Sequence, residues 1–189
     1  MTGPSGSGKS TLLHLLGGLD RPDEGVVRLH GVDWNTLRGV DRARFRRHTC
    51  GFVAQGLSLL PQATTAENVE VPLLLDDVEP RQRELRVTAV LARVGLSDDA
   101  RKLPDQLSGG QQQRAAIARA LVTGPRVLLA DEPTGSLDSQ NAAIVADLLV
   151  DAAREAGCSV LLVTHDPLVA ARADRQLRLR SARLEDEEA

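Results

Sequence analysis

Gly3-Pro4-Ser5-Gly6-Ser7-Gly8-Lys9-Ser10 decides how the rest of the chain is read. It fits G-x-x-x-x-G-K-[ST] at every fixed position. Glycines let backbone N–H groups converge on one point without obstruction from Cβ. The helical pattern Lys9–Leu16 starts inside the motif, so the positive end of a helix faces the same point. Such a loop cradles a polyphosphate, with Lys9 reaching the β- and γ-phosphates and the Ser10 hydroxyl available to Mg²⁺.

Outward from this loop the chain alternates two patterns. Val26–Leu29, Gly51–Ala54, Val127–Ala130 and Ser159–Val163 are short apolar runs that read as buried strands, and Gln176–Leu179 is a weaker one. Lys9–Leu16, Arg81–Val94, Ser108–Val122 and Ser139–Ala156 read as helices. Alternation of this kind predicts an α/β fold with a mostly parallel sheet. The stretch of about 64–107 holds no convincing strand and is punctuated by Pro72 and Pro80, with Leu85, Leu91 and Val94 on one helical face. It reads as a helical insertion between core segments of about 1–63 and 108–183. The acidic end, Leu184–Ala189, reads as a solvated, frayed tail.

Bulk numbers are compatible with this. A length of 189 residues predicts one domain, residues 1–189, and 42% hydrophobic with 26% charged residues is ordinary for a globular chain. No apolar run approaches the ~18 residues that span a bilayer, and the N-terminus does not read as a secretory signal. A net charge of −3 gives no footprint for nucleic acid. Cys50 and Cys158 are far apart and form no CxxC pair, which predicts two buried, reduced thiols.

Two further stretches carry chemistry. Val127-Leu128-Leu129-Ala130-Asp131-Glu132 is an apolar strand ending in two acids. A buried strand delivers both to the C-terminal edge of the sheet, where open α/β folds bind ligands. Asp131 suits Mg²⁺, through water, and Glu132 suits orienting and polarising an attacking water. Leu107-Ser108-Gly109-Gly110-Gln111-Gln112-Gln113-Arg114 lies 24 residues before Asp131. Ser108 is a good N-cap, and a glycine pair at a helix start makes a second anion site.

These stretches together resemble the ATP-binding cassette (ABC) family of ATPases. Six motifs follow in the family's order: GPSGSGKST (Gly3–Thr11), the glutamine of GFVAQ (Gln55), LSGGQQQR (Leu107–Arg114), VLLADEP (Val127–Pro133), SLD (Ser136–Asp138) and the histidine of VTHD (His165). HLLGGLDRPDEG (His14–Gly25) looks most like the lipoprotein-release and macrolide-export members. The resemblance implies a P-loop NTPase core of the RecA-like type with an inserted helical subdomain. It implies ATP held on Gly3, Pro4, Ser5, Gly6, Ser7, Gly8, Lys9, Ser10 and Thr11, with Mg²⁺ on Ser10, Gln55 and Asp131. Glu132, His165, Gln55 and Lys9 would serve catalysis. A second cassette would pair head to tail, so that Ser108, Gly109, Gly110 and Gln111 face its ATP and Asp138 communicates across the dimer. A membrane-spanning permease would be the other partner, which puts the cassette at the cytoplasmic face of the cell membrane and favours export or extraction.

The chain departs from the family at its start, where only Met1 and Thr2 precede Gly3 and the family's first strands and adenine-stacking aromatic are missing. The expectation is a true start further upstream, and marginal stability for the 189 residues by themselves. Ala54 stands where the family often has Phe. Two other functions compete with a transporter motor: a soluble ABC ATPase of the iron–sulfur assembly type, and an inactive, truncated nucleotide-binding subunit. The 52 residues from Gln55 to Leu107 lack the heptads of DNA-maintenance members, and Lys9, Asp131, Glu132 and His165 are all in place for catalysis.

Overall fold

The computed structural model describes residues 1–155 and 157–186. Helix α1 (Lys9–Leu16) leaves the phosphate loop, and β1 (Arg28–Leu29) pairs antiparallel with β2 (Val32–Asp33). Helix α2 (Gly39–Thr49) runs directly into β3 (Cys50–Val53). Helices α3 (Thr65–Leu74), α4 (Pro80–Arg93) and α5 (Gly109–Leu121) lead to β4 (Val127–Asp131). Helix α6 (Ser139–Glu155), β5 (Ser159–Val163), the short α7 (Pro167–Ala170) and the ribbon of β6 (Leu177–Arg180) and β7 (Arg183–Asp186) complete the order.

β3, β4 and β5 form a parallel sheet in that order, with Val127 opposite both Cys50 and Ser159. Met1 and Thr2 extend it. The Met1 nitrogen donates to the Leu162 carbonyl at 2.6 Å, and the Thr164 amide to the Met1 carbonyl at 3.2 Å. On the other side the Thr2 amide donates to Leu177 O at 2.8 Å and the Leu179 amide to Thr2 O at 2.9 Å. The residues leading into the phosphate loop thus lie between β5 and the β6–β7 ribbon.

Strand alternation divides the core. Leu128 and Ala130 enter a large cluster with Ala115 and Ile117 of α5 and Val145 and Leu149 of α6. Leu129 and Val163 enter a smaller cluster with Leu13 of α1, Met1 and Leu179. The large cluster continues without a break into Val69 and Leu73 of α3 and Val87, Val90 and Leu91 of α4. Sheet and helical stretch therefore share one core.

Several sequence expectations are corrected. The strand expected over 26–29 is only the two residues of β1. Helix α2 was not predicted, because its sequence GVDRARFRRHT shows no apolar stripe. Arginines hold it instead: Arg42 Nε donates to Gly18 O at 3.0 Å, Arg42 Nη2 to Asp20 O at 2.6 Å, and Arg46 Nη1 to Gly18 O at 3.2 Å. Phe45 adds an edge-on contact to the buried Trp34, with centroids 5.1 Å apart. Pro72 does not end a helix but lies inside α3, near its C-terminus. Leu85 is 58% exposed, and the buried stripe of α4 is Val87, Val90 and Leu91. Leu184–Asp186 is not frayed but belongs to β7, paired with β6. Ala156, the last residue of the expected helix over 139–156, and residues 187–189 of the expected tail lie outside the described residues. Cys50 and Cys158 are buried free thiols, as expected.

Candidate functional site

Gly8 caps α1 in a left-handed conformation, φ 96°, open to a residue without Cβ. No side chain caps the first turn of α1 and no acid stands in it, so its amides are available to an anion. Lys9 folds over the loop, donating from Nζ to Gly3 O at 2.9 Å and to Pro4 O at 2.8 Å. Ser7 Oγ is buried in the loop without a partner, a polar atom that a bound phosphate chain would satisfy.

β4 and β5 deliver the acids. Asp131 ends β4 at 5% exposure. Glu132 follows with φ 48°, a left-handed conformation that costs a residue with Cβ about 1–3 kcal/mol. Its amide donates to Val163 O at 2.9 Å and its carbonyl accepts from Gly135 N at 3.1 Å, so pairing with β5 and a tight turn impose the strain. The carboxylate Oε2 then accepts from His165 Nδ1 at 2.8 Å. His165 is itself held between Thr164, whose Oγ1 accepts from Asp166 N at 3.0 Å, and Asp166, whose side chain caps α7.

Gln55 lies just after β3. A cleft of about 690 Å³ joins Gly3, Ser5, Gly6, Gly8, Lys9, Ser10 and Thr11 to Gln55, Asp131, Glu132 and His165. That volume suits a nucleotide-sized ligand. Ser136 of the SLD motif and Gly135, which the sequence reading did not single out, also line it.

The second predicted group stands apart. Neither Ser108–Gln111 nor Asp138 lines the cleft of its own chain. Ser108 caps α5, accepting from Gln111 N at 3.3 Å, while Gln111 Oε1 accepts from Ser108 N at 2.8 Å. Gln111 Nε2 donates to Asp99 Oδ2 at 2.9 Å, so both ends of this amide serve its own chain. Ser108 and Gly109 are exposed and Gly110 is buried. Asp138 caps α6: Asn141 N donates to Oδ1 at 2.9 Å and Asn141 Nδ2 to Oδ2 at 2.7 Å. These bonds, the backbone amide first, hold the Asp138 carboxyl below its ordinary value.

Two structural side chains were missed. Arg119 of α5 donates to Ser58 O at 2.7 Å and Leu57 O at 3.0 Å, pinning the loop that follows Gln55. Burial lowers its pKa. Asn68 is fully buried and clamps the far end of that loop, accepting from Leu60 N at 2.6 Å and donating to Leu60 O at 3.0 Å. The available signal was a polar residue on an apolar helix face, Arg119 in AAIARAL and Asn68 before Val69.

A search for relatives bears on what this cleft holds. The sequence model of the family described as ABC transporter matches residues 1–135. The macrolide export ATP-binding/permease protein MacB of Nitrosomonas europaea is 50% identical over 184 residues, covering 97% of this chain but only 28% of that protein. The lipoprotein-releasing system ATP-binding protein LolD of Legionella pneumophila (strain Lens) is 47% identical over 182 residues, covering 96% of this chain and 80% of that one. Among solved structures, the dimeric post-hydrolysis state of the ATP-binding cassette MJ0796 bound to ADP and Pi superposes with a TM-score of 0.89 at 40% identity. That match covers 100% of this chain and 84% of the other. With the phosphate loop, the acids after β4 and the histidine after β5 gathered at one cleft, the chain belongs to the ABC transporter family as an ATP-binding, ATP-hydrolysing cassette.

Proposed function

We propose that this cassette drives a membrane transporter as one half of a head-to-tail pair, with each ATP held between two cassettes. One observation carries the reading. The cleft of a single chain holds Lys9, Asp131, Glu132 and His165, while Ser108, Gly109 and Asp138 stand outside it and exposed. A second cassette brings its own Ser108 and Gly109 to the open side of the nucleotide, so ATP joins the two.

Within this pair the roles follow from chemistry. Loop amides and Lys9 hold the triphosphate, and the amides of the partner's α5 supply the remaining donors. Glu132 accepts a proton from water as the water oxygen attacks the γ-phosphorus and the bond to the β–γ bridging oxygen breaks, releasing ADP and phosphate. His165 keeps the Glu132 carboxylate in place. Among the described residues no three His, Cys, Asp or Glu side chains cluster to hold a metal. Ser10, Gln55 and Asp131 fit Mg²⁺, which takes few protein ligands and completes its shell with phosphate and water. When bound, it would neutralise charge developing on the phosphates.

A permease is the second partner, as the named relatives suggest: one is a macrolide export ATP-binding/permease protein and the other the ATP-binding protein of a lipoprotein-releasing system. The helical stretch 64–107 and the loop pinned by Arg119 form the side that meets it. The named relatives favour export or extraction as the direction, with the cassette on the inner face of the membrane. The test uses Glu132→Gln. This variant is expected to bind ATP, to dimerise with it in light scattering, and to lose turnover by about 10²- to 10⁴-fold in phosphate release. Adding Ser108→Arg should leave monomer binding intact and abolish the dimer. A Glu132→Gln protein that stays monomeric with ATP overturns the paired reading.

A further inference from the structure

The two glycines that open α5 face different surroundings. A Cβ at Gly109 would meet nothing within 4 Å. A Cβ at Gly110 would overlap Asn141 Oδ1 and stand 2.6 Å from Asn141 Cγ and 3.2 Å from its Cβ. Gly110 is buried against the first turn of α6 in its own chain, not turned toward the open side. The amide lying in that space is the one that caps Asp138, through Nδ2 to Oδ2 at 2.7 Å.

We propose that Asn141 is a positioning residue, locking the 107–110 loop and Asp138 of one chain into a single unit, and that position 110 is glycine to admit the Asn141 amide. The inference rests on the paired reading above, in which both groups face the partner. The amide is a wedge with two contacts. Its oxygen end fills the space beside Gly110, and its nitrogen end holds the Asp138 carboxylate. A methyl group at 110 pushes the wedge out and removes the Nδ2 bond to Asp138, leaving the carboxylate on the Asn141 backbone amide and free to turn about it, although that methyl never meets nucleotide. A shift of the loop is then felt at Asp138, so both partner-facing groups arrive in register.

The test is a double-mutant cycle in the Glu132→Gln background, with ATP-driven dimerisation, monomer affinity for ATP and thermal unfolding read together. Gly110→Ala should weaken dimerisation about tenfold, the coupling expected of residues in contact. Asn141→Ala should weaken it about threefold to tenfold by removing the Asp138 donor. Monomer affinity should stay within about twofold in both. The double variant should dimerise no worse than Asn141→Ala, because the methyl group then occupies the vacated space. Multiplied losses in the double variant would overturn the proposal and assign Gly110 to the nucleotide. Asn141→Asp keeps the size, loses the donor and sets a second carboxylate beside Asp138, so it should weaken the dimer as Asn141→Ala does. Unchanged dimerisation in both Asn141 variants would likewise overturn it, even if Gly110→Ala failed to fold. Should the Glu132→Gln parent stay monomeric, the paired reading falls. The melts then decide the 110–141 contact alone: less than additive losses support it, and additive losses overturn it.

Discussion

Glu132 pays for its position. Its φ of 48° is forced by the amide bond to Val163 and the turn to Gly135, and the return is a carboxylate 2.8 Å from His165 in the cleft. Strain at a residue that the proposed mechanism uses sets stability against function. Glu132→Gly is therefore expected to melt no lower than the parent, gaining up to about 1 kcal/mol from relieved backbone strain, while hydrolysis is lost. Calorimetry beside a phosphate-release assay checks both halves, and a marked fall in Tm would refute the strain. At this scale the sequence was legible where chemistry is written contiguously, as in Gly3–Ser10 and Asp131-Glu132. Asn141 was not legible, because its role depends on the approach of α6 to α5.

Among elements, α5 does the most joining. It starts at the Ser108–Gln111 capping box, packs Ala115 and Ile117 into the core, and extends Arg119 to the loop after Gln55. One rigid helix thus links residues 108–111, which the proposed pairing turns toward a partner, to the loop that follows Gln55 at the cleft. Arg119→Leu should leave fold and ATP affinity near the parent's and loosen residues 56–60. The loss is about 1.5–3 kcal/mol of charge-assisted hydrogen bonding, visible as faster amide exchange in that loop and weaker coupling of hydrolysis to transport. Protection unchanged at 56–60 would remove Arg119 from this role. Helix α1 and strand β5 matched their predicted bounds, since a helical apolar pattern and a continuous apolar run each mark where a buried element lies. α2 escaped because arginines donating to carbonyls hold it, and Pro72 misled because α3 is held by its capping box and its buried Val69 and Leu73 despite the amide hydrogen bond that proline lacks.

For the whole molecule, one apolar cluster runs from the sheet into α3 and α4, so sheet and helical stretch should unfold together. The core also carries two thiols. Burial pushes Cys50 from 9.0 up to about 11, and burial raises Cys158 as well. The folded state thus holds these protons more tightly than the unfolded chain does. Their contribution is complete below about pH 9 and is lost as pH rises toward about 11. With no tyrosine and two lysines in 189 residues, little else titrates in that window. Tm should fall between pH 9 and 11, and Cys50→Ala should flatten the fall; an equal slope in the variant would exclude the thiol as its cause. The α/β class and the mostly parallel sheet were legible from alternating runs. The seating of Met1 and Thr2 between β5 and β6 was not, since two residues carry no period.

That seating has a mechanical meaning. Thr2 gives one hydrogen bond to the β6–β7 ribbon and takes one from it, and the Leu179 carbonyl crowds the α-carbon of Gly3 so closely that no methyl group would fit. The ribbon is therefore a latch on the root of the phosphate loop. A load that peels β6 away unhinges Gly3 at the same moment, and a ligand that stiffens the loop tightens the latch in return.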